Sequence, residues 1–407
     1  MSSTVVRWCA LVGVLLAISA SGAWAADAQL SLPDALQRAQ AGSPELQAAD
    51  AGVQAARARA RQAGLGPNPE VRLDVESFAG SGPYQGFQGA ETTVGVSQQI
   101  ERGGARSSRV AAATADIQVA EARMKVAQAD LRRNVVDRYA EAWTAQERVR
   151  LAQETVARAE DLAKATQSMV DAGREPPLRA LRARTVLASA RADLRGATGD
   201  FDAARYALGA LWNQPAANFT LTEFNLSPAP SAVAPSRSTL DVQLAQAELD
   251  AVHLVIERER AVATPSLTVE AGARRFSDSG DHAFVFGLSA PLPVRDRNQG
   301  TIAAAQADAL AAEIRRNQAM SAAVRDELDA RAALSGAEAQ LAAIEGDVIP
   351  EAERALSLAR LGYDAGRFSL LDVLDAEGAL SEARASSVQA RLARAKALSA
   401  LERALAR

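Results

Sequence analysis

Two carboxylates three residues apart, Asp372 and Asp375, are the residues of this chain whose type and spacing could best do chemistry. They follow the tetrapeptide Asp-Ala-Gly-Arg at 364–367. On a helix, residues three apart share one face, so the pair could be the two carboxylates that an enzyme would require. Acidic residues also stabilise the N-terminus of a helix without any further role. Both interpretations remain open at this point.

The same tetrapeptide occurs at 171–174, an offset of 193 residues. At this offset the positions of the two aspartates are taken by Arg179 and Arg182. The chain therefore carries one turn twice, followed once by acidic and once by basic residues. We expect the two copies to have different tasks.

The sequence offers little support for an enzyme. It has no H-E-x-x-H, G-x-S-x-G or G-x-x-x-x-G-K-[ST] motif. Of its two histidines, His253 falls on an expected helix and His282 in an expected outer loop. A zinc site generally needs three or four close ligands. We predict no catalytic residues, no cofactor and no metal-binding site.

The N-terminus has the pattern of a secretory signal peptide at 1–25. Arg7 precedes an apolar run from about Cys9 to Ile18, and Ser-Gly-Ala-Trp-Ala ends at Ala25, where we expect cleavage. The run is too short to span a bilayer as a helix. Since Cys9 is the single cysteine, the mature chain should have neither a disulfide nor a lipid anchor on cysteine.

The composition favours long, closely packed helices. Alanine is abundant, aromatic residues make up 4% of the 407 residues, and charges of both signs are interspersed. The net charge of −4 is too small to indicate nucleic-acid binding. No later segment has 18 consecutive apolar residues, so no transmembrane helix is expected.

An internal repeat extends beyond the two turns. AAATAD at 111–116 matches AAAQAD at 303–308, and LASARA at 187–192 matches LSEARA at 380–385. A near-constant offset over about 100 residues indicates duplication. We therefore divide the chain into halves at 26–212 and 240–407. A linker at 213–239, rich in Pro and Ser, joins them and includes one short expected strand at Phe219–Glu223.

Each half follows one plan: a β-hairpin, a very long helix, a tip and a returning helix. The expected elements of the first half are strands at about 70–79 and 91–100, a helix at about 104–169 and a tip at 170–177. Those of the second half are strands at about 266–275 and 283–292, a helix at about 300–363 and a tip at 364–370. Pro350 should kink or restart the second long helix.

Local signals set the ends of several helices. Ser31 and Ser43 are expected N-caps, and Pro44 suits the first position of a helix that ends at Gly64. Gly173 and Gly366 suit the left-handed position that terminates a helix. The two Asp-Ala-Gly-Arg turns should therefore be helix–turn–helix tips, distant from the hairpins.

The strands alternate apolar and polar residues, as at Val71, Leu73 and Val75. Four strands of about 10 residues with one apolar face match outer-membrane β-strands. An open four-stranded sheet cannot lie in lipid because its edges have unpaired backbone groups, and the smallest barrels need about eight strands. Several chains must then close one barrel, with helices of about 100 Å projecting from it. Soluble hairpins on a periplasmic coiled-coil scaffold without a pore are the alternative.

Several segments resemble the TolC family of outer-membrane efflux channels. LSLPDALQRAQAGSPELQAA is similar to the opening helices of that family. GLGPNPEVRLDVESFAGSGPYQGF, VGVSQQIERGGARSSRVAAA and LSAPLPVRDRNQGTIAAA are similar to its CzcC-like branch, which serves heavy-metal exporters. The resemblance covers almost all of the mature chain.

The resemblance implies a mainly α fold with a small β part. Internally duplicated helical hairpins would form an α-barrel tunnel, and four strands per chain would complete a 12-stranded barrel in a homotrimer. It further implies the outer membrane of a Gram-negative bacterium, a large periplasmic extension, a periplasmic adaptor and an inner-membrane RND pump. Heavy-metal cations are the implied cargo, and a multidrug or type I secretion channel is the alternative.

The resemblance also assigns roles to the tips. Pore constriction is implied for Asp372, Asp375 and Tyr363. Turns that contact the adaptor are implied for Asp171, Ala172, Gly173, Arg174, Asp364, Ala365, Gly366 and Arg367. Arg367 lies one position before the basic residue of the family pattern, so a solvated turn cation is its alternative role. For Arg179 and Arg182 we hypothesise ion pairs with neighbouring carboxylates that hold the tips closed.

Overall fold

In a computed structural model, the chain is described over residues 28–215, 218–222 and 238–406. The expected signal peptide at 1–25 and most of the linker at 213–239 lie outside the described residues. The strand expected at Phe219–Glu223 is described only in part. Within the described ranges, no helix is long and apolar enough to cross a membrane.

Two short helices open the first half. Strand β1 (Ala28–Leu30) leads into α1 (Leu32–Gly42), where the Ser31 hydroxyl accepts a hydrogen bond from the Asp34 amide. Helix α2 (Pro44–Ala63) begins with Pro44 after Ser43. Ser43 occupies the N-cap position, but its side chain makes no capping hydrogen bond.

A four-stranded antiparallel sheet lies at one end of the long helices. It consists of β2 (Glu70–Glu76), β3 (Glu91–Ile100), β5 (Leu267–Phe276) and β6 (His282–Ser289), in the order β2-β3-β5-β6. The hairpins of the two halves therefore join through β3 and β5. Strands β2 and β6 are left with open edges.

Some strand ends differ from the sequence-based expectation. β2 ends at Glu76 rather than near residue 79, because Ser77 and Ala79 adopt left-handed backbone angles, with φ of 59° and 56°. β6 ends at Ser289 rather than near residue 292, shortly before Pro291, which has no amide to donate. The placement of His282 in an outer loop was wrong, since it is the first residue of β6 and pairs with Arg275.

One face of the sheet is apolar across all four strands. Its central rows are Val71–Val96–Ala271–Phe286 and Leu73–Val94–Ala273–Phe284. The opposite face is polar: Arg274 Nη1 lies 2.6 Å from a Glu91 carboxylate oxygen, and Arg72 Nε lies 2.8 Å from one of Asp74. Phe284 is 96% exposed in the single chain. The sheet therefore presents one side to an apolar environment and the other to water.

Long helices extend away from the sheet in both halves. In the first, α3 (Ala105–Asp171) has 67 residues, about 100 Å at 1.5 Å per residue, and α4 (Pro177–Ala210) returns along it. In the second, α6 (Gln299–Ala343) continues through a π-helical stretch at Ile344–Val348 into α7 (Ile349–Asp364). The widened turn precedes Pro350, which cannot donate a backbone hydrogen bond. Helix α8 (Leu370–Ala404) then returns.

The repeat also holds at the level of side-chain contacts. Glu160 and Arg191 join α3 to α4 at 2.7 Å, and Glu353 and Arg384, each 193 residues further on, join α7 to α8 at 3.0 Å. Arg384 also reaches Glu154 of α3 at 3.3 Å, so it ties the two hairpins together. A second repeated pair consists of Gln167 with Arg184 and Arg360 with Glu377.

The largest apolar core lies part-way along the helices, where α1 and α3 meet a small parallel sheet. This sheet consists of β1 and β4 (Phe219–Leu221). The buried hydroxyl of Tyr139 lies 2.8 Å from the Leu30 carbonyl oxygen and 2.9 Å from that of Thr222. Helix α5 (Leu240–Val262) packs between α3 and α6 and leads to β5. The core therefore holds the described start of the linker, Phe219 and Leu221, against the helical layer.

Candidate functional site

The two tips have the same backbone geometry. Gly173 and Gly366 adopt left-handed φ values of 69° and 71°. In the first tip the Arg174 amide donates to the Met169 carbonyl at 2.9 Å, and in the second the Arg367 amide donates to that of Gly362 at 2.8 Å. This six-residue closure with a left-handed glycine ends a helix without leaving its last carbonyls unpaired. The Asp-Ala-Gly-Arg sequence thus accounts for both turns.

The side chain of Asp372 closes the N-terminus of α8. Its carboxylate accepts hydrogen bonds at 2.7 Å from both the amide and the hydroxyl of Ser369, and its own amide faces the Ser369 hydroxyl at 3.4 Å. This is a capping box. The hydrogen bonds from Ser369 hold the pKa of Asp372 below its usual value, so the carboxylate remains ionised in neutral solution.

Asp375 has no such local role. It is exposed one turn beyond Asp372 on the same side of α8, and within the described residues it forms no ion pair or hydrogen bond. The two carboxylates therefore present negative charge to solvent at the start of α8. Among the residues that the structure describes, no cluster of three or more His, Cys, Asp or Glu could hold a metal ion.

The two arginines of the first tip have different surroundings. Arg179 forms an ion pair with Glu175, one turn earlier in its own tip. Arg182 is exposed and has no ion pair in the described part of the chain. The same is true of the side chain of Arg367. Arg174 in the first turn is likewise exposed and without an ion pair in the described residues, so Arg174, Arg182 and Arg367 are the tip cations available to a neighbouring molecule.

Tyr363 connects the two tips within one chain. It is half-buried against the apolar cluster of α7 and α8, and its hydroxyl donates towards the Met169 sulfur of α3 at 3.4 Å. Burial, together with the negative charge of Glu175, raises the pKa of Tyr363 above its ordinary value. The tyrosine is therefore neutral at physiological pH and acts as a packing and hydrogen-bonding group.

Phe368 is a further tip residue, and the sequence analysis did not single it out. Its ring lies directly on Gly362: a Cβ atom at position 362 would stand 2.1 Å from Phe368 Cδ2. In the first tip the corresponding positions carry Met169 and Glu175. A glycine followed six positions later by an aromatic residue is the sequence pattern that could have predicted this contact. The second tip is thus closed by an apolar contact and the first by an ion pair.

The chain belongs to the outer membrane efflux protein family, which it matches over residues 35–214 and 237–407. It is 33% identical over 363 residues to the cobalt-zinc-cadmium resistance protein CzcC of Cupriavidus metallidurans, covering 87% of this chain and 85% of CzcC. It is 31% identical over 339 residues to the nickel-cobalt-cadmium resistance protein NccC of Alcaligenes xylosoxydans xylosoxydans, an alignment that covers 82% of this chain and 75% of NccC.

The fold agrees with solved channels. The crystal structure of CusC superimposes with a TM-score of 0.79 at 21% identity over 93% of each chain. The expected mainly α channel fold is thereby confirmed, and the identities to CzcC and NccC confirm the CzcC-like branch. The chain is an outer-membrane efflux channel of a Gram-negative bacterium with a large periplasmic helical part, and not an enzyme. Channels of this family are trimers that work with adaptor and inner-membrane pump partners.

Proposed function

We propose that this chain forms a homotrimeric, passive exit duct for heavy-metal cations, as the outer-membrane part of a tripartite RND-type efflux system. The observation that carries the proposal is the exposed pair of carboxylates, Asp372 and Asp375, at the start of α8 in a chain similar to CzcC. At the periplasmic end of a threefold tunnel they would form two rings of three. Such rings would attract cations and disfavour anions along the first helical turn of α8.

The trimer is supported by the open edges of the single chain. Strands β2 and β6 each lack a partner on one side, and three copies of the sheet would provide 12 strands without a free edge. The outermost helices of the tip region, α4 and α7, expose apolar side chains at the ends that lie next to the tips. These are Leu178, Leu181, Leu358 and Leu361. Packing of α4 against α7 of the next copy would cover them.

The tips supply the proposed gate and adaptor contact. Three copies carry six turns, formed by 171–174 and 364–367, and these are the surfaces we assign to the adaptor. Two rings of carboxylates repel: unit charges about 6 Å apart at an effective dielectric near 20 cost roughly 3 kcal/mol per pair. Arg182 of a neighbouring copy would offset this cost and hold the gate closed. Tyr363 would couple opening of one tip to the other through Met169.

Transport energy must come from a partner, because the sequence has no phosphate-binding loop or other motif for nucleotide hydrolysis. An inner-membrane pump coupled through the adaptor meets this requirement. The channel itself then needs only to open and to favour the cargo. This division of labour agrees with the absence of a nucleophile–base constellation from the sequence.

The test is growth of a deletion strain on zinc, cobalt, cadmium, nickel, copper and silver salts, with dyes and antibiotics alongside. Sensitivity to metals alone, rescued by the wild-type gene, is expected. Rescue by D372N/D375N should be much weaker, whereas D193N, which neutralises an exposed carboxylate of α4, should rescue fully. Sensitivity to dyes and antibiotics but not to metals would assign the channel to drug export. Full rescue by D372N/D375N would remove the proposed role of the carboxylates.

A further inference from the structure

The junction between strands and helices carries a surface that the efflux function does not explain. We define the junction collar as Ile100, Arg102, Arg106, Leu292, Val294, Arg295 and Arg297. Leu292 and Val294 lie in the loop that follows β6, and their side chains are 82% and 73% exposed. All four arginines are exposed as well. An apolar loop flanked by cations at one level of the molecule is typical of a surface that contacts a membrane interface.

The collar continues the apolar face of the sheet. Alternation along β3 places Val94, Val96 and Ile100 on that face. The exposed side chain of Arg102 follows two residues after the strand ends. In the second half, β6 contributes Phe284, Phe286 and Leu288 before the chain reaches Leu292. The collar therefore borders the lipid-facing surface at its helical, periplasmic end.

The arginines are available to an external ligand, whereas the acidic residues beside them are already engaged. Glu101 accepts a hydrogen bond from Arg109 Nη2 at 3.1 Å, and the Asp296 carboxylate accepts one from the Asn298 amide at 2.9 Å. Within the described residues, the guanidinium groups of Arg102, Arg106 and Arg295 form no ion pair or hydrogen bond. The Nε of Arg297 reaches only the Pro293 carbonyl, at 3.4 Å. The collar is thus locally cationic in a chain whose net charge is −4.

The spacing fits the thickness of an outer membrane. On the apolar face, Thr92 of β3 pairs with Arg275 of β5 near the far end of the sheet. Arg102 lies ten positions after Thr92, two positions beyond the end of β3 at Ile100, and an extended chain over ten positions spans about 34 Å at roughly 3.4 Å per residue. A strand tilt of about 40° reduces this to about 26 Å, close to the apolar band of about 25 Å in outer-membrane barrels. Arg102 consequently lies at headgroup level in the periplasmic leaflet.

We propose that the junction collar binds the phosphate groups of anionic phospholipids in the periplasmic leaflet. Leu292 and Val294 enter the acyl region, while Arg102, Arg295 and Arg297 donate hydrogen bonds to phosphate oxygens. Guanidinium suits this ligand because its planar array of donors matches a phosphate. Each arginine near an anionic surface adds about 1 kcal/mol, which is about fivefold in affinity. Three arginines per chain then distinguish anionic from zwitterionic lipid by roughly a hundredfold.

The test is native mass spectrometry of the full-length channel, purified in detergent and titrated with phosphatidylglycerol or phosphatidylcholine. The wild type should prefer phosphatidylglycerol, and R102Q/R295Q/R297Q should lose most of the preference while binding phosphatidylcholine as before. The matched variant R102K/R295K/R297K, which keeps the charges, should retain a preference and shows that the surface still folds. A control pair on exposed helical surface, R325Q/R354Q, should behave as the wild type.

Four results would overturn the proposal. The first is equal affinity of the wild type for the two lipids. The second is an unchanged preference in the glutamine variant. The third is that the channel binds lipopolysaccharide more strongly than phosphatidylglycerol, and that this binding is lost in R275Q but kept in R102Q/R295Q/R297Q. That result would place the phosphate-binding site in the opposite leaflet. A photo-crosslinker at Val294 that captures a protein rather than lipid in cells would likewise replace the lipid with a protein partner. None of these outcomes bears on metal export, since the inference depends only on outer-membrane insertion.

Discussion

Gly362 is the position where one added methyl group should disturb a single tip. A Cβ atom there would lie 2.1 to 2.7 Å from three ring atoms of Phe368, so in G362A the ring must leave its place. Phe368 is 50% exposed, and a fully buried phenylalanine covers about 200 Å², so about 100 Å² of apolar contact is at stake. At about 25 cal/mol per Å² this amounts to about 2.5 kcal/mol.

The helical preference of alanine offsets part of that cost. Gly362 lies in the last turns of α7, where alanine gains up to about 1 kcal/mol over glycine. G362A should therefore destabilise the closed conformation of the second tip by about 1.5 kcal/mol, which raises the equilibrium constant for opening about tenfold. The amides of Arg367 and Phe368 report on it directly, because both donate to the Gly362 carbonyl, at 2.8 and 3.1 Å.

Hydrogen exchange of peptides that cover 362–370 is the assay. G362A should exchange about tenfold faster there, while peptides over the first tip at 168–176 stay unchanged. The matched control is G378A in α8, where nothing stands within 4 Å of the added methyl group and exchange should slow or stay the same. In an F368A background, G362A should add no further cost. If G362A exchanged as slowly as the wild type, the packing of Phe368 on Gly362 would be refuted.

Four further outcomes can be measured. S369A should destabilise the start of α8 by about 1 kcal/mol through loss of its cap, seen as faster exchange at 369–373. Folding lowers the pKa of Asp372, so the stability that its capping carboxylate adds to α8 should be fully present above the ordinary aspartate pKa and should be lost as the pH falls through the lowered pKa. Hydrogen exchange at the start of α8 in D372N should lack this pH dependence. Y139F removes the hydroxyl that serves the buried carbonyl of Leu30 and the part-buried carbonyl of Thr222, and it should lower the free energy of unfolding by about 1 to 3 kcal/mol in thermal or denaturant melts; an unchanged melt would contradict that hydrogen bonding. R182E should raise the resting conductance in planar bilayers, and an unaltered conductance would count against a lock at this residue.

Local patterns accounted for much of the fold. The alternation of Val71, Leu73 and Val75 placed an apolar face on β2, and Pro44 and Gly64 bounded α2. Glycine in Asp-Ala-Gly-Arg placed both turns, since few other residues adopt a left-handed conformation without strain. Such features depend on short-range sterics and hydrogen bonding, which the sequence carries directly.

Other features needed the tertiary structure. β1 was not expected, because three residues form a strand here only through pairing with β4, some 190 positions away. His282 was misplaced because the length of a hairpin loop depends on strand register and not on composition alone. At the candidate site, the sequence identified Asp372 but could not decide whether it caps a helix; the bonds to Ser369 did.

By itself, the sequence determined the duplicated plan, the two tip turns, the four half-apolar strands and the family, because periodicity, glycine conformation and motif content are local properties. Only the tertiary structure decided how the halves join through β3 and β5, which arginines are already paired, and that Tyr363 links the tips. Those contacts join residues up to about 190 positions apart. Their energies depend on distances and burial that no stretch of sequence contains.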